Sequence, residues 1–223
     1  MPAAKLSKKT AVPIGLNQQG FNRECQLPYG LGTLDVKKAM QDFLAFLHLI
    51  NRSLVSKGMD PLELFLMPAN FSSIVSEFLA AAIPKHCPGL IKNRFHNGHP
   101  DLIPIGVYAN GACLHADRGI EIKASRRPSG WQGHNPENVW LMVFVFDSSA
   151  PRDATRGLAF RPFQFVKVIG AKITKSDWNF SGRLATSRRT ITASVMRTGF
   201  EKMEANWIYR ARGKPQPVQS TKK

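Results

Sequence analysis

Only fifteen of the 223 residues are acidic, and two of these stand where an apolar strand does not ordinarily carry charge. Asp101 follows Pro100 and opens an apolar stretch, and Glu121 lies between Ile120 and Ile122 with Lys123 two residues on. Side chains alternate across a strand, so Glu121 and Lys123 share one face and Ile120 and Ile122 the other. If the stretch from Asp101 pairs with the one around Glu121, two carboxylates and one ammonium converge. Two anions a few ångströms apart raise each other's pKa unless a cation lies between them, which makes a divalent ion the expected partner. Mg2+, which takes oxygen ligands at about 2.1 Å and keeps several waters, suits such a pair. Over a phosphodiester that ion can polarise a non-bridging oxygen, lower the pKa of a bound water and offset charge on the departing 3′ oxygen. Lys123 then orients the attacking water or stabilises the developing negative charge.

With sixteen lysines and fifteen acidic positions, about one acidic-x-Lys triplet is expected by chance. Two occur, and Asp35-Val36-Lys37 opens a helix with no aspartate upstream, so Glu121-Ile122-Lys123 is set apart by its strand flanks and by the Pro-Asp before it. Net charge points the same way. Lys plus Arg number 31 against 15 acidic residues, a formal +16, and the basic residues recur along the chain, which favours a folded basic surface for a polyanionic partner. No apolar run approaches the ~20 residues of a membrane span, and Met1 to Thr10 lacks the apolar segment of a signal peptide. The three cysteines are odd in number and far apart, as expected of a reducing compartment. The expectation is a soluble, cytoplasmic protein of bacterial or archaeal type. His96 and His99 could be imagined with Cys87 or Cys113 as a zinc site, but the spacing matches none of the usual patterns.

The elements that must position these residues follow from periodicity. Apolar residues from Val36 to Leu54 fall at helical spacing, predicting a helix over 35–54 that ends before Gly58. A second helix is predicted over 70–83, capped by Asn70 and stopped by Pro84, with Glu77 at the flank of its apolar stripe. Residues 101–107 and 119–125 read as two strands joined by a loop containing Asn110 and Gly111. Residues 139–146, apolar on both faces, read as a central strand covered on both sides. A further strand over 163–169, a helix over about 190–206 and a closing strand over 207–209 complete an α/β pattern. Residues 1–32 read as a basic, partly ordered N-terminal arm, 33–210 as a single domain and 211–223 as a disordered basic tail.

Pro100-Asp101 followed by Glu121-Ile122-Lys123 resembles the signature of the PD-(D/E)XK nuclease superfamily, and the element order over roughly 70–205 is similar to its core. Size, a single domain and the lack of an ATP-binding segment make a type II restriction endonuclease the most similar member. The resemblance implies a restriction-endonuclease-like core, a central mixed β-sheet flanked by α-helices. It also implies Mg2+-dependent hydrolysis of double-stranded DNA at a short specific site within a restriction–modification system, without a nucleotide cofactor. Asp101 and Glu121 would be metal ligands, Lys123 the catalytic lysine and Glu77 a further helix carboxylate near the metal. One branch of the superfamily adds a Gln-x-x-x-Tyr motif; here Gln132 is followed by Pro136 at the tyrosine position, a departure from that branch.

Donor-rich stretches complete the expected site. Arg126, Arg127, Gln132, His134 and Asn135 leave the catalytic strand and could meet phosphates or base edges. Arg183, Arg188 and Arg189 form a second group suited to the DNA backbone. Cutting both strands of a symmetric site calls for a homodimer. The same residues also admit a repair or junction-resolving nuclease, or a non-catalytic DNA-binding protein in which the acidic pair ties a hairpin together.

Overall fold

The computed structural model describes residues 12–133, 136–180 and 193–211. The first helix, α1 (Thr33–Ser56), buries Val36, Ala39, Met40, Phe43 and Leu47 completely, the stripe its periodicity demands. Asp35 Oδ2 accepts the Gly32 N–H at 2.9 Å and closes the first turn. A short α2 (Leu62–Phe65) leads into α3 (Pro68–His86), which buries Phe71, Val75, Leu79 and Ile83. The expected stop at Pro84 does not occur. Pro84 lies in the last turn, where its missing N–H costs one helical bond, the Cys87 N–H still reaches Ile83 O at 3.0 Å, and burial of Leu79 and Ile83 holds the turn in place.

Strands β1 (Leu90–Lys92), β2 (Leu102–Pro104) and β3 (Ile120–Ser125) follow, then β4 (Gln132–Gly133) and β5 (Val139–Asp147). After α4 (Pro151–Thr155) come β6 (Gln164–Ile173), β7 (Trp178–Phe180), β8 (Ala193–Val195), α5 (Arg197–Ala205) and β9 (Trp207–Arg210). Six strands form one mixed sheet in the order β1-β2-β3-β5-β6-β9, with β3 and β5 parallel and the other neighbours antiparallel. β4, β8 and β7 form a separate three-stranded sheet.

The expected central strand is β5. Trp140, Met142, Phe144 and Phe146 join the core under α1 and α3, while Val139, Leu141, Val143 and Val145 join a second core with Trp131, Trp178 and Met203 of α5. Such double burial is why the segment is apolar on both faces. The result is a mixed α/β fold with a central mixed sheet flanked by helices.

Several boundaries differ from expectation. The strand expected over 101–107 shortens to β2, because Gly106, at a φ of 73°, turns the chain out of extended geometry. The last helix starts only at Arg197, with β8 before it; residues 190–192 of its expected range lie outside the described residues, as do residues 181–189, most of the tail and residues 1–11. Residues 12–32, expected as an arm, lie against the domain: the Ile14 N–H bonds Phe163 O at 2.8 Å and the Arg210 N–H bonds Gly20 O at 2.8 Å. Among the described residues no helix is long and apolar enough to cross a membrane.

Candidate active site

Antiparallel pairing of β2 with β3 is confined to Leu102 opposite Ile120, so Asp101, one residue earlier, comes beside Glu121. Beyond that point Asp101 Oδ2 accepts the Ile122 N–H at 2.8 Å, in place of a strand carbonyl. The close approach of β2 to the start of β3 needs Gly119, where a Cβ would stand 2.3 Å from Leu102 O. Alternation then does what it must: Ile120 and Ile122 enter the core, and Glu121 and Lys123 face the opposite way. Lys123 Nζ donates to Glu121 Oε1 at 2.9 Å. The structure therefore brings Asp101, Glu121 and Lys123 together.

Two residues not expected at the site complete the cluster. His99 Nδ1 meets Glu121 Oε2 at 2.9 Å, and His99 Nε2 meets Glu137 Oε2 in an ion contact that is not a hydrogen bond. His99 is two residues before Asp101, a period-2 neighbour, and that spacing was the available signal; nothing near Glu137 in sequence points to the site. The loop carrying His99 is held by Asn93, whose Nδ2 donates to Pro100 O at 3.1 Å and Cys113 O at 2.8 Å.

The electrostatics follow from burial and charge. Burial and the negative charge of Glu121 push Asp101 up to about 7, against the Ile122 N–H and Lys123. Burial alone would raise Glu121 too, but Lys123 and His99 outweigh it and hold Glu121 at about 2. Burial disfavours the His99 imidazolium, yet its two carboxylate neighbours raise it to about 9. For Lys123 burial is likewise overcome, chiefly by Glu121, and its pKa is raised.

The donor set fits magnesium. The two carboxylates are hard oxygen donors, and the strain on Asp101 is what a divalent cation between them would relieve. Among the described residues no group of three or more His, Cys, Asp or Glu side chains could hold a metal ion. Magnesium asks for less, binding through one or two carboxylates together with waters and substrate phosphate.

Beside Lys123 a cleft of about 420 Å3 opens between α3 and the second half of β3, lined by Ser72, Ser76, Lys123, Ser125, Arg127 and Gln132 among others. Among the described residues no acidic side chain lines it. The remaining expected site residues part company here. Glu77 stands exposed and pairs with Lys92 Nζ at 2.6 Å. Arg126 is turned inward: its Nη2 donates to Ser149 O at 2.6 Å and its guanidinium lies 5.7 Å from the ring centres of both Phe71 and Phe146. Arg127 and Gln132 face the cleft. His134, Asn135, Arg183, Arg188 and Arg189 lie outside the described residues.

Comparison with known proteins finds no matching family model, no matching curated protein and no matching solved structure.

Proposed function

We propose that the protein is a Mg2+-dependent endodeoxyribonuclease of restriction type, cutting double-stranded DNA at a short specific site. The observation that carries this reading is the meeting of Asp101, Glu121 and Lys123 at the end of a short strand pairing, beside a cleft lined by no acidic side chain among the described residues, in a chain of formal charge +16. Asp101 and Glu121 would hold the ion. When bound, magnesium supplies positive charge against the phosphodiester that these carboxylates cannot supply.

The chain's own side chains do the rest. Lys123 donates into the site from the face it shares with Glu121, where it stabilises charge developing on the phosphate or orients the attacking water. Arg127 and the serine hydroxyls of the cleft offer donors to the DNA backbone. A homodimer would present two such sites to the two strands of a symmetric sequence.

A second reading has its own observation. Both oxygens of Glu121 already have partners, Lys123 and His99, so the acidic pair also suits a non-catalytic DNA-binding protein in which it ties strands together. Incubation of the purified protein with plasmid, in Mg2+ and then in EDTA, separates these. Fragments of fixed size that vanish with EDTA are expected. Cutting confined to branched or damaged DNA would move the reading to repair, and salt-sensitive retention without cutting would leave only the DNA-binding protein.

A further inference from the structure

Glu121 carries a long side chain that must hold one orientation if it is to act as a ligand, and the structure holds it from two sides. Lys123 Nζ takes Oε1 at 2.9 Å, and His99 Nδ1 takes Oε2 at 2.9 Å. The imidazole meets the Glu137 carboxylate at its far end in an ion contact. Its backbone is pinned at both polar groups, the His99 N–H bonding Leu114 O at 2.9 Å and His99 O accepting the Ala116 N–H at 3.0 Å.

Glu137 is anchored independently of β3. Its carbonyl accepts the Trp178 Nε1–H at 3.0 Å, and its neighbour Asn138 accepts the Lys175 N–H through Oδ1 at 3.1 Å. The chain of contacts Glu137, His99, Glu121 therefore ties the approach to β5, the loop before β2 and the middle of β3 into one frame. All three side chains are mostly buried, with Glu137 25% exposed, His99 20% and Glu121 13%. A surface ion pair would not be built from three separate segments with a planar ring as the spacer.

We propose that His99 and Glu137 are positioning residues for the metal-binding carboxylate of Glu121. The inference rests on the nuclease reading and deepens it. Neither residue touches the ion or the phosphodiester; they hold the Glu121 carboxylate turned toward Asp101. Partners of this kind behind a metal ligand typically contribute about 10- to 100-fold in metal affinity.

The test uses the full chain and two readouts, Mn2+ binding measured by electron paramagnetic resonance and the Mg2+ concentration for half-maximal DNA cleavage. Glu137→Gln is nearly isosteric, and His99→Gln keeps an amide donor toward Glu121; circular dichroism and melting establish that both fold. For Glu137→Gln, Mn2+ affinity is expected to fall about 10- to 100-fold, with the Mg2+ requirement rising in parallel and excess Mg2+ restoring turnover. His99→Gln is expected to lose less affinity than His99→Ala. Unchanged Mn2+ affinity in both Gln variants, while Asp101→Ala abolishes binding, overturns the positioning role and leaves the nuclease reading standing. Turnover lost beyond rescue by Mg2+, at unchanged Mn2+ affinity, also overturns it, because the residues would then act on the substrate. No Mn2+ binding by the parent protein overturns both.

Discussion

Replacing Asp101 by Asn removes a charge that the folded protein holds at a cost, and its effect on stability is therefore the opposite of most substitutions at a hydrogen-bonded residue. The carboxyl sits at about 7 against an ordinary 3.8, raised by burial and by Glu121. A change of that size is worth up to about 4 kcal/mol. Because the Asp101 and Glu121 carboxyls interact, part of this belongs to the pair, and about 2 kcal/mol is the expected gain for Asp101→Asn. The Asn carbonyl oxygen still accepts the Ile122 N–H, so the strand contact survives. The sign follows from proton counting. Below pH ~4 the carboxyl is protonated in both the folded and unfolded states and carries no penalty. Between pH ~4 and ~7 the unfolded chain ionises first, so the folded state binds more protons and the parent loses stability as pH rises. Above pH ~7 the penalty is complete. Urea denaturation in EDTA across pH 4 to 8.5 should show parent and variant converging at the acid end, with the variant more stable by about 2 kcal/mol at pH 8. Saturating Mg2+ should then stabilise the parent, by about 2.7 kcal/mol at one hundred times its dissociation constant, and leave the variant unchanged. A variant less stable than the parent at pH 8, or a difference that does not shrink toward pH 4, would refute the electrostatic account of the acidic pair.

Lys123→Ala should lower cleavage by about 100- to 1,000-fold while DNA retention on a filter persists; cutting at the parent rate would remove Lys123 from the chemistry. Arg127→Ala should weaken DNA binding evenly across sequences and reduce the slope of log affinity against log salt by about one, and an unchanged slope would place the DNA elsewhere than the cleft. Gly119→Ala should destabilise the fold by about 1–3 kcal/mol, since its Cβ would meet a backbone oxygen that cannot give way; a melting temperature equal to the parent's would show that β2 can move away.

The parts of the site legible in the sequence are those set by alternation within a strand. Glu121 and Lys123 share a face because their spacing is two, and Asp101 reaches them through one antiparallel pair. The helix α1 and the strand β5 were legible for the same reason, one from its buried stripe and the other from burial on both faces. What was not legible depends on where loops travel. His99 meets Glu137 because Asn93 and the backbone partners of His99 fold a loop back onto the sheet, and 38 residues of sequence separate the two. Arg126 reads as a DNA contact in a basic stretch, yet a niche beside Phe71 and Phe146 takes it inward. Glu77 satisfies itself on Lys92, a partner that only the packing of α3 against β1 supplies. The strands β4, β7 and β8, two or three residues each, are too short to leave a period.

Crystals grown with Mn2+ and uncleaved DNA, with anomalous scattering recorded at the manganese edge, address the ion and the substrate together. The expected result is a single-site or paired peak between the Asp101 and Glu121 carboxylates, with a DNA phosphate against it and Lys123 Nζ within hydrogen-bond reach. DNA bound with no phosphate near Asp101 and Glu121, or carboxylates that keep their contacts to Ile122, Lys123 and His99 with no anomalous peak, would contradict it.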